Sequence, residues 1–235
     1  MEVPFAGFPP ETVRFLRRLK RNNNREWFGQ NKQVYEDKVK KPMLELIEAL
    51  GGVLGGIAPE LNTDPKRAMF RIYRDTRFSP DKTPYKTQVA AHFSPRTAEK
   101  RTYAGLYFHV APEEVLVAGG VYMPGSPELR EIHDYVAGHA RELRVILRDG
   151  RLSEYYGGLQ GEQAKRPPRG FSPDHPDIDL IRYKQYIVWA ERPAAFAEKA
   201  QLFSWLVEGF VCALPLIRFL NTGLGLRHGR LMKTL

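Results

Sequence analysis

Five cations and two carboxylates crowd into the sixteen residues from Arg71 to Lys86: Arg71, Arg74, Arg77, Lys82 and Lys86, with Asp75 and Asp81. A guanidinium forms paired hydrogen bonds to phosphate or carboxylate, and lysine adds a point charge. Two carboxylates neutralise only part of this set, so water, the tail or a ligand has to balance the rest. Ser79-Pro80-Asp81-Lys82 and Thr83-Pro84-Tyr85-Lys86 read as two successive rigid turns, which hold side chains in place at low entropic cost. Two readings follow. In one, the cations line a site for phosphate, nucleotide or a nucleic-acid backbone, and Asp75 and Asp81 orient them. In the other, the same carboxylates pair internally with the cations and pin the loop. The two are compatible if Asp75 fixes an arginine that faces a ligand.

The charge is local. Between Lys66 and Arg101 ten Lys/Arg stand against three Asp/Glu, so this window carries +7 of the formal +9, and the tail from Arg227 adds +3. A pI near 9.6 favours anionic partners. Arg182 and Lys184 alternate with Tyr183 on an expected strand, share a face there, and join the candidate ligand set. Tyr73, Phe78, Tyr85, Tyr103 and Tyr107 are aromatics able to stack bases beside the cations, although strand aromatics more often serve the core.

Other chemical signals fail on spacing. Ser79 and Lys82 form S-x-x-K without the companion S-D-N and K-T-G motifs. Pro80-Asp81 resembles half of a metal-nuclease motif, but Glu99-Lys100-Arg101 has the wrong spacing for the other half. His133 and His139 fall six apart, on different faces of a helix. His92 is an acid–base candidate if its strand lies beside Arg71, with a satisfied sheet histidine as the plainer reading. Gly51 to Gly56 does not fit a dinucleotide fingerprint. The single Cys212 excludes an internal disulfide and any cysteine metal cluster, and its apolar run makes it a core residue. No cofactor or metal is expected.

The positioning elements follow from periodicity. Pro9-Pro10 opens a helix with Phe15, Leu16 and Leu19 on one face, and an Asn at 22–24 caps the next. That second helix carries a stripe from Phe28 to Leu54, with Pro42 forcing a kink or restart and Gly51-Gly52 and Gly55-Gly56 ending it. Strands are expected at 68–73, 87–93, 102–110, 115–123 and 180–190, with a four-residue hairpin turn at Ala111–Glu114. A helix follows Ser126-Pro127 and another starts at Pro193, its length limited by Pro215. The stretch 148–179 reads as a long functional loop or lid. The pattern implies α+β, with a mainly antiparallel sheet of about five or more strands packed against several helices. One domain over 1–226 and a disordered basic tail at 227–235 are expected. With no stretch approaching ~18 consecutive apolar residues and no secretory pattern, the expected location is cytoplasmic, without membrane association.

Arg71 to Lys86 resembles the signature R-x-x-R-D-x-R-F-S-x-D-K-x-P-Y-K of a widespread bacterial and fungal family of conserved proteins without an assigned function. Every fixed position is present. A second feature of that family is matched by Gly7-Phe8, Phe15-Leu16, Leu19, Asn23-Asn24 and Trp27-Phe28. Gly119-Gly120 with Tyr122 and Pro124, and Leu180 to Lys184, fit the same pattern. The resemblance covers about residues 5 to 220. It implies a single α+β domain and supplies no catalytic residues. Three functions remain in order: an anion-binding domain, an enzyme acting on a small phosphorylated or carboxylated substrate, and an interaction module in which the motif is an internal ion-pair network. The oligomeric state is open.

Overall fold

The computed structural model describes residues 4–97 and 102–226. The expected tail at 227–235 lies outside these residues, as do Lys100 and Arg101 of the basic window. The chain forms two compact units. The first comprises Met1–Phe93, Tyr107–Val117 and Glu191–Glu208; the second comprises Ser94–Leu106, Ala118–Ala190 and Gly209–Leu235.

In the first unit, α1 (Pro10–Arg21) buries Val13, Phe15, Leu16 and Leu19 and turns its cations outward. Two short helices follow, α2 (Arg25–Gln30) and α3 (Lys32–Tyr35). A π-helical turn, Glu36–Lys40, then leads into α4 (Lys41–Ile57). This turn resolves the conflict posed by Pro42. A regular helix would bond the residue-42 N–H to the Lys38 carbonyl, and proline has no N–H to give. The fully buried Thr12 hydroxyl donates to that carbonyl instead. Contrary to expectation, α4 runs through Gly51, Gly52 and Gly55, because Leu50 and Leu54 are buried one turn apart and packing outweighs glycine's weak propensity.

The sheet is antiparallel and has four strands in the order β1-β2-β3-β4: β1 (Val89–Phe93), β2 (Gly105–Val110), β3 (Glu114–Val121) and β4 (Tyr186–Pro193). Leu106, Phe108 and Val110 on β2 and Val115 and Val117 on β3 alternate onto one buried face. Ala111 N donates to Glu114 O at 2.8 Å, so the hairpin turn closes one residue earlier than the four-residue span implies.

The fifth expected strand, 68–73, is not formed. The short helix α5 (Pro65–Ala68) takes its first residues, and isolated bridges Met69 to Ala91 and Tyr73 to Tyr85 take the rest. Arg74 N reaches Pro84 O at 2.9 Å, but Pro84 has no N–H to return, so the pairing stays broken.

In the second unit, α6 (Ser126–Arg148) buries Ile132, His133, Val136, Ala140 and Leu143 and departs from helical geometry at His139. The expected loop at 148–179 holds α7 (Gly150–Tyr156), capped by Asp149. Arg144 clamps its far end by bonding Asp177 and Asp179 at 2.8–3.3 Å. The same clamp shapes α8 (Ile178–Ile181), which replaces the start of the last expected strand.

Gly120, at φ +128°, comes so close to β4 that an added Cβ would lie 2.0 Å from the Tyr186 carbonyl oxygen. That explains the Gly119-Gly120 pair. After a 3₁₀ turn at Ala194–Glu198, α9 (Gln201–Gly223) continues through Pro215. Pro215 is exposed, and so is Val211, whose carbonyl loses its helical donor to solvent. By length and composition α9 is able to cross a membrane, yet 61% of its apolar window is buried, as in a core helix.

Candidate functional site

The basic motif lies in the first unit as two backbone runs joined by an exposed loop. Phe70 N donates to Ala90 O at 2.9 Å and Lys86 N to Ile72 O at 2.7 Å, which brings Phe70–Arg74 alongside Pro84–Ala90. Ile72 points into the core, while Arg71 and Tyr73 face outward. Phe70 is 41% exposed.

Each carboxylate takes one arginine. Arg74 Nη1 donates to Asp81 and to the Thr83 hydroxyl, and Thr83 N donates to Asp81 at 2.9 Å. The Arg74 bond first, and then the Thr83 amide, pull the Asp81 carboxyl down to about 2. Arg77 grips Asp75 with Nε at 3.0 Å and Nη2 at 2.7 Å, which lowers the Asp75 pKa. Lys82 Nζ donates to Thr76 O at 2.9 Å, a bond that leaves its charge uncompensated.

Arg71 and Lys86 differ. Among the described residues neither makes an ion-pair contact, although Asp75, held by Arg77, lies within electrostatic reach of Arg71. Lys86 Nζ sits 4.7 Å above the Phe70 ring. Its pKa is lowered by burial and, secondarily, by the positive charge of Arg71 nearby. Two further aromatics of the motif are exposed, Tyr73 at 52% and Phe78 at 93%, the latter 5.7 Å below the Arg77 guanidinium.

The N-terminal motif holds this arrangement from behind. The Asn23 side chain takes both backbone groups of Tyr85, donating to its carbonyl at 2.9 Å and accepting from its N–H at 3.1 Å. It thereby replaces a missing strand partner. Asn24 caps α2 through Trp27 N at 2.9 Å. That aims Phe28 to stack on Tyr85 at 4.0 Å between ring centroids. The two motifs distant in sequence are thus one structural unit.

A family model described as "Conserved hypothetical protein (DUF2461)" matches residues 11–219. The chain belongs to the DUF2461 family. Comparison with curated proteins returns no match. The residues matched by the DUF2461 model include Arg71–Lys86 and the Phe15–Phe28 part of the N-terminal feature, with Gly7-Phe8 outside them, and membership brings no assigned activity with it.

Other parts of the DUF2461 chain place the remaining candidates. Arg182 and Lys184 belong to the second unit and flank the isolated bridge Gln163 to Tyr183 instead of lying on a strand. Arg182 donates to the carbonyls of Ala164 at 2.7 Å and Lys165 at 3.2 Å, and Lys184 bonds Glu162. His92 packs 6.5 Å from the Phe70 ring, and burial lowers its pKa.

Two features escaped the sequence reading. On α1, Arg14, Arg17, Arg18, Lys20 and Arg21 all face outward, a cluster hidden when charge is summed over long windows. Arg18 lies 5.5 Å over Trp27, while Arg17, Lys20 and Arg21 line a shallow pocket of about 490 Å³ with Pro112 and Glu113. The second feature is Tyr107-x-His109, whose period-two spacing puts both side chains on one face of β2.

Proposed function

We propose that the first unit binds a phosphate-containing ligand, with Arg71 and Lys86 as the receiving pair and Lys82 as a third uncompensated cation. Arg74 and Arg77, neutralised by Asp81 and Asp75, shape the loop and complete its hydrogen-bonding surface. The observation that carries this reading is the Arg71–Lys86 pair. Burial first and the Arg71 charge second lower the Lys86 pKa, neither cation is in ion-pair contact with a carboxylate, and Asp75, already spent on Arg77, offsets Arg71 only in part, so an anion seated here relieves their repulsion.

The internal-network reading draws on the Arg74–Asp81 and Arg77–Asp75 pairs. Arg77 and Asp81 are 77% and 55% exposed as side chains, so these are surface pairs rather than a buried network, and such pairs add little stability. They fix the loop without accounting for the excess charge. The exposed aromatics of the motif and, separately, the basic face of α1 offer further contacts to a nucleic-acid strand.

Thermal unfolding of wild type and of Arg71→Gln/Lys86→Met tests the proposal, against inorganic phosphate, a nucleoside triphosphate and short single-stranded DNA and RNA. A ligand at a hundred times its Kd adds about 2.7 kcal/mol of stability. The expected result is stabilisation of wild type and not of a folded double variant. Affinity that falls steeply with salt identifies a polymer backbone rather than a single phosphate. No stabilisation of wild type by any of the four at low salt overturns the proposal.

A further inference from the structure

Beside the anion pair lies a hydrogen-bonded chain that none of the binding roles uses. Gln88 Nε2 donates to the Tyr107 hydroxyl at 3.0 Å; that hydroxyl lies 3.0 Å from His109 Nδ1; and His109 Nε2 lies 3.2 Å from Glu114 Oε1. One proton arrangement satisfies every member. Glu114, an acceptor, holds the proton on His109 Nε2, which leaves Nδ1 with a lone pair. Nδ1 then accepts the Tyr107 proton, while the Gln88 amide supports the phenolic oxygen on its other side.

His109 is 7% exposed and Tyr107 is half-buried. Burial lowers the His109 pKa against the opposing pull of Glu114 and Glu191, which favours the neutral base. Nucleophile, base and orienting carboxylate thus stand in a row, the constellation that activates hydroxyl nucleophiles.

Phe70 touches both the chain and Lys86. The Tyr107 ring lies 6.3 Å from Phe70, whose ring in turn carries Lys86 Nζ at 4.7 Å. All of these residues belong to the first unit.

We propose that Tyr107 is a catalytic nucleophile for phosphoryl transfer, with His109 as its base, Glu114 as the positioning residue, and Lys86 and Arg71 seating the anionic phosphoryl substrate. This rests on the anion-binding reading. In the transfer step the Tyr107 oxygen forms a bond to phosphorus as the bond from phosphorus to the leaving oxygen breaks. The phenolic proton passes to His109 Nδ1 and stays there, while the departing oxygen, on the far side of phosphorus in an in-line displacement, takes its proton from solvent. Water then attacks phosphorus from the far side and loses a proton to solvent, the bond from phosphorus to the Tyr107 oxygen breaks, and His109 Nδ1 returns its proton to that oxygen, which releases phosphate and restores the hydroxyl. Lys86 and Arg71 face the charge on the non-bridging oxygens throughout.

The test uses 4-(fluorosulfonyl)benzoate, which carries an anionic carboxylate and a tetrahedral sulfur electrophile that releases fluoride when a phenolic oxygen attacks. Labelled sites are mapped by mass spectrometry on the full chain at neutral pH. Tyr73 and Tyr122, 52% and 66% exposed, serve as internal references. The expected result is labelling of Tyr107 ahead of both. His109→Gln slows it about 10²-fold, as loss of a general base does. Glu114→Gln slows it less, and neither change alters Tyr73 labelling.

Labelling of Tyr73 and Tyr122 with Tyr107 silent in wild type overturns the proposal, and this result needs no variant to fold. Tyr107 labelling that is indifferent to both His109→Gln and Glu114→Gln, with melting confirming the fold of each, also overturns the relay. Inorganic phosphate as competitor separates the two readings. If phosphate protects Tyr107, both stand. If labelling depends on His109 but phosphate at saturating concentration gives no protection, the relay is active and the anion pair is not its substrate seat, which overturns the phosphoryl assignment alone.

Discussion

Two arginine clusters in this chain are built from the same groups and reach opposite balances. In the second unit, Arg144 alone faces two carboxylates, bonding Asp179 through two nitrogens at 2.8 and 3.0 Å and Asp177 at 2.9 Å. In the first, the five cations from Arg71 to Lys86 share two carboxylates. The Arg144 cluster is fully answered from within, and its position explains its purpose, since it ties the end of a Gly- and Pro-rich stretch to α6. The motif is answered only at Arg74 and Arg77 and keeps a local charge of +3. An arginine matched by carboxylates is a fastener, whereas the cations left over after every carboxylate is spent supply the charge on which the proposed anion site rests.

The sharpest way to break this contrast is to remove each cluster's central cation and compare stability. Arg144→Met leaves Asp177 and Asp179 close together without a counter-ion. Its side chain is 31% exposed, so solvent screens part of the loss. The expected cost is about 1–2 kcal/mol, a fall in Tm of roughly 2–4 °C for a chain of this size. Phosphate binding in the first unit stays unchanged. Differential scanning calorimetry with and without phosphate reads both quantities, and loss of phosphate binding in Arg144→Met would erase the division between fastener and receptor.

The same contrast explains what the sequence made legible. The motif's five cations and two carboxylates lie within sixteen residues, so their imbalance is visible in one window, and the four strands of the sheet follow from alternation around Phe93, Phe108 and Val117. The Arg144 clamp joins residues more than thirty positions apart, and nothing local announces it. The Tyr107–His109–Glu114 chain depends on how the hairpin aligns β2 with β3, which alternation within one strand does not specify. Errors in the other direction share one cause. Gly51 and Pro215 read as helix ends, yet buried Leu50 and Leu54 carry α4 onward and the exposed face at Pro215 tolerates a missing bond. Tertiary packing overrides local propensity wherever the apolar stripe continues past the breaker.

Acid separates the clusters next. The Arg144 bond holds the Asp179 pKa below its ordinary value, and the Arg74 bond holds Asp81 at about 2. A carboxyl whose folded pKa is lowered contributes stability above its unfolded pKa of ~4 and loses that contribution as pH falls through the lowered folded value. The Tm difference between wild type and Asp179→Asn is therefore constant from about pH 8 to 5 and shrinks below ~4. The Tm difference for Asp81→Asn also shrinks as pH falls from ~4 towards about 2, but by less, because solvent screens the exposed loop. Chemical shifts of the carboxyl carbons check the titrations directly, and an Asp81 that titrates in the ordinary aspartate range would remove the Arg74 pairing.

The smallest effects come from the outermost pair, and there the sign carries the information. Arg77 is 77% exposed as a side chain, and its partner Asp75 stays hydrated when released. Arg77→Ala leaves Tm within the error of a scan, because no buried charge is stranded. It lowers the local charge from +3 to +2, so phosphate affinity falls by a few-fold, in line with an exposed charge contact. Asp75→Asn raises the local charge to +4, and affinity rises by a similar factor. Titration calorimetry at low salt measures both, and added salt brings the two variants back toward wild type as the charges are screened. Opposite shifts in affinity at equal Tm make the loop a receptor. A large drop in Tm for Arg77→Ala, without any change in affinity for Asp75→Asn, makes it a fastener like the Arg144 clamp.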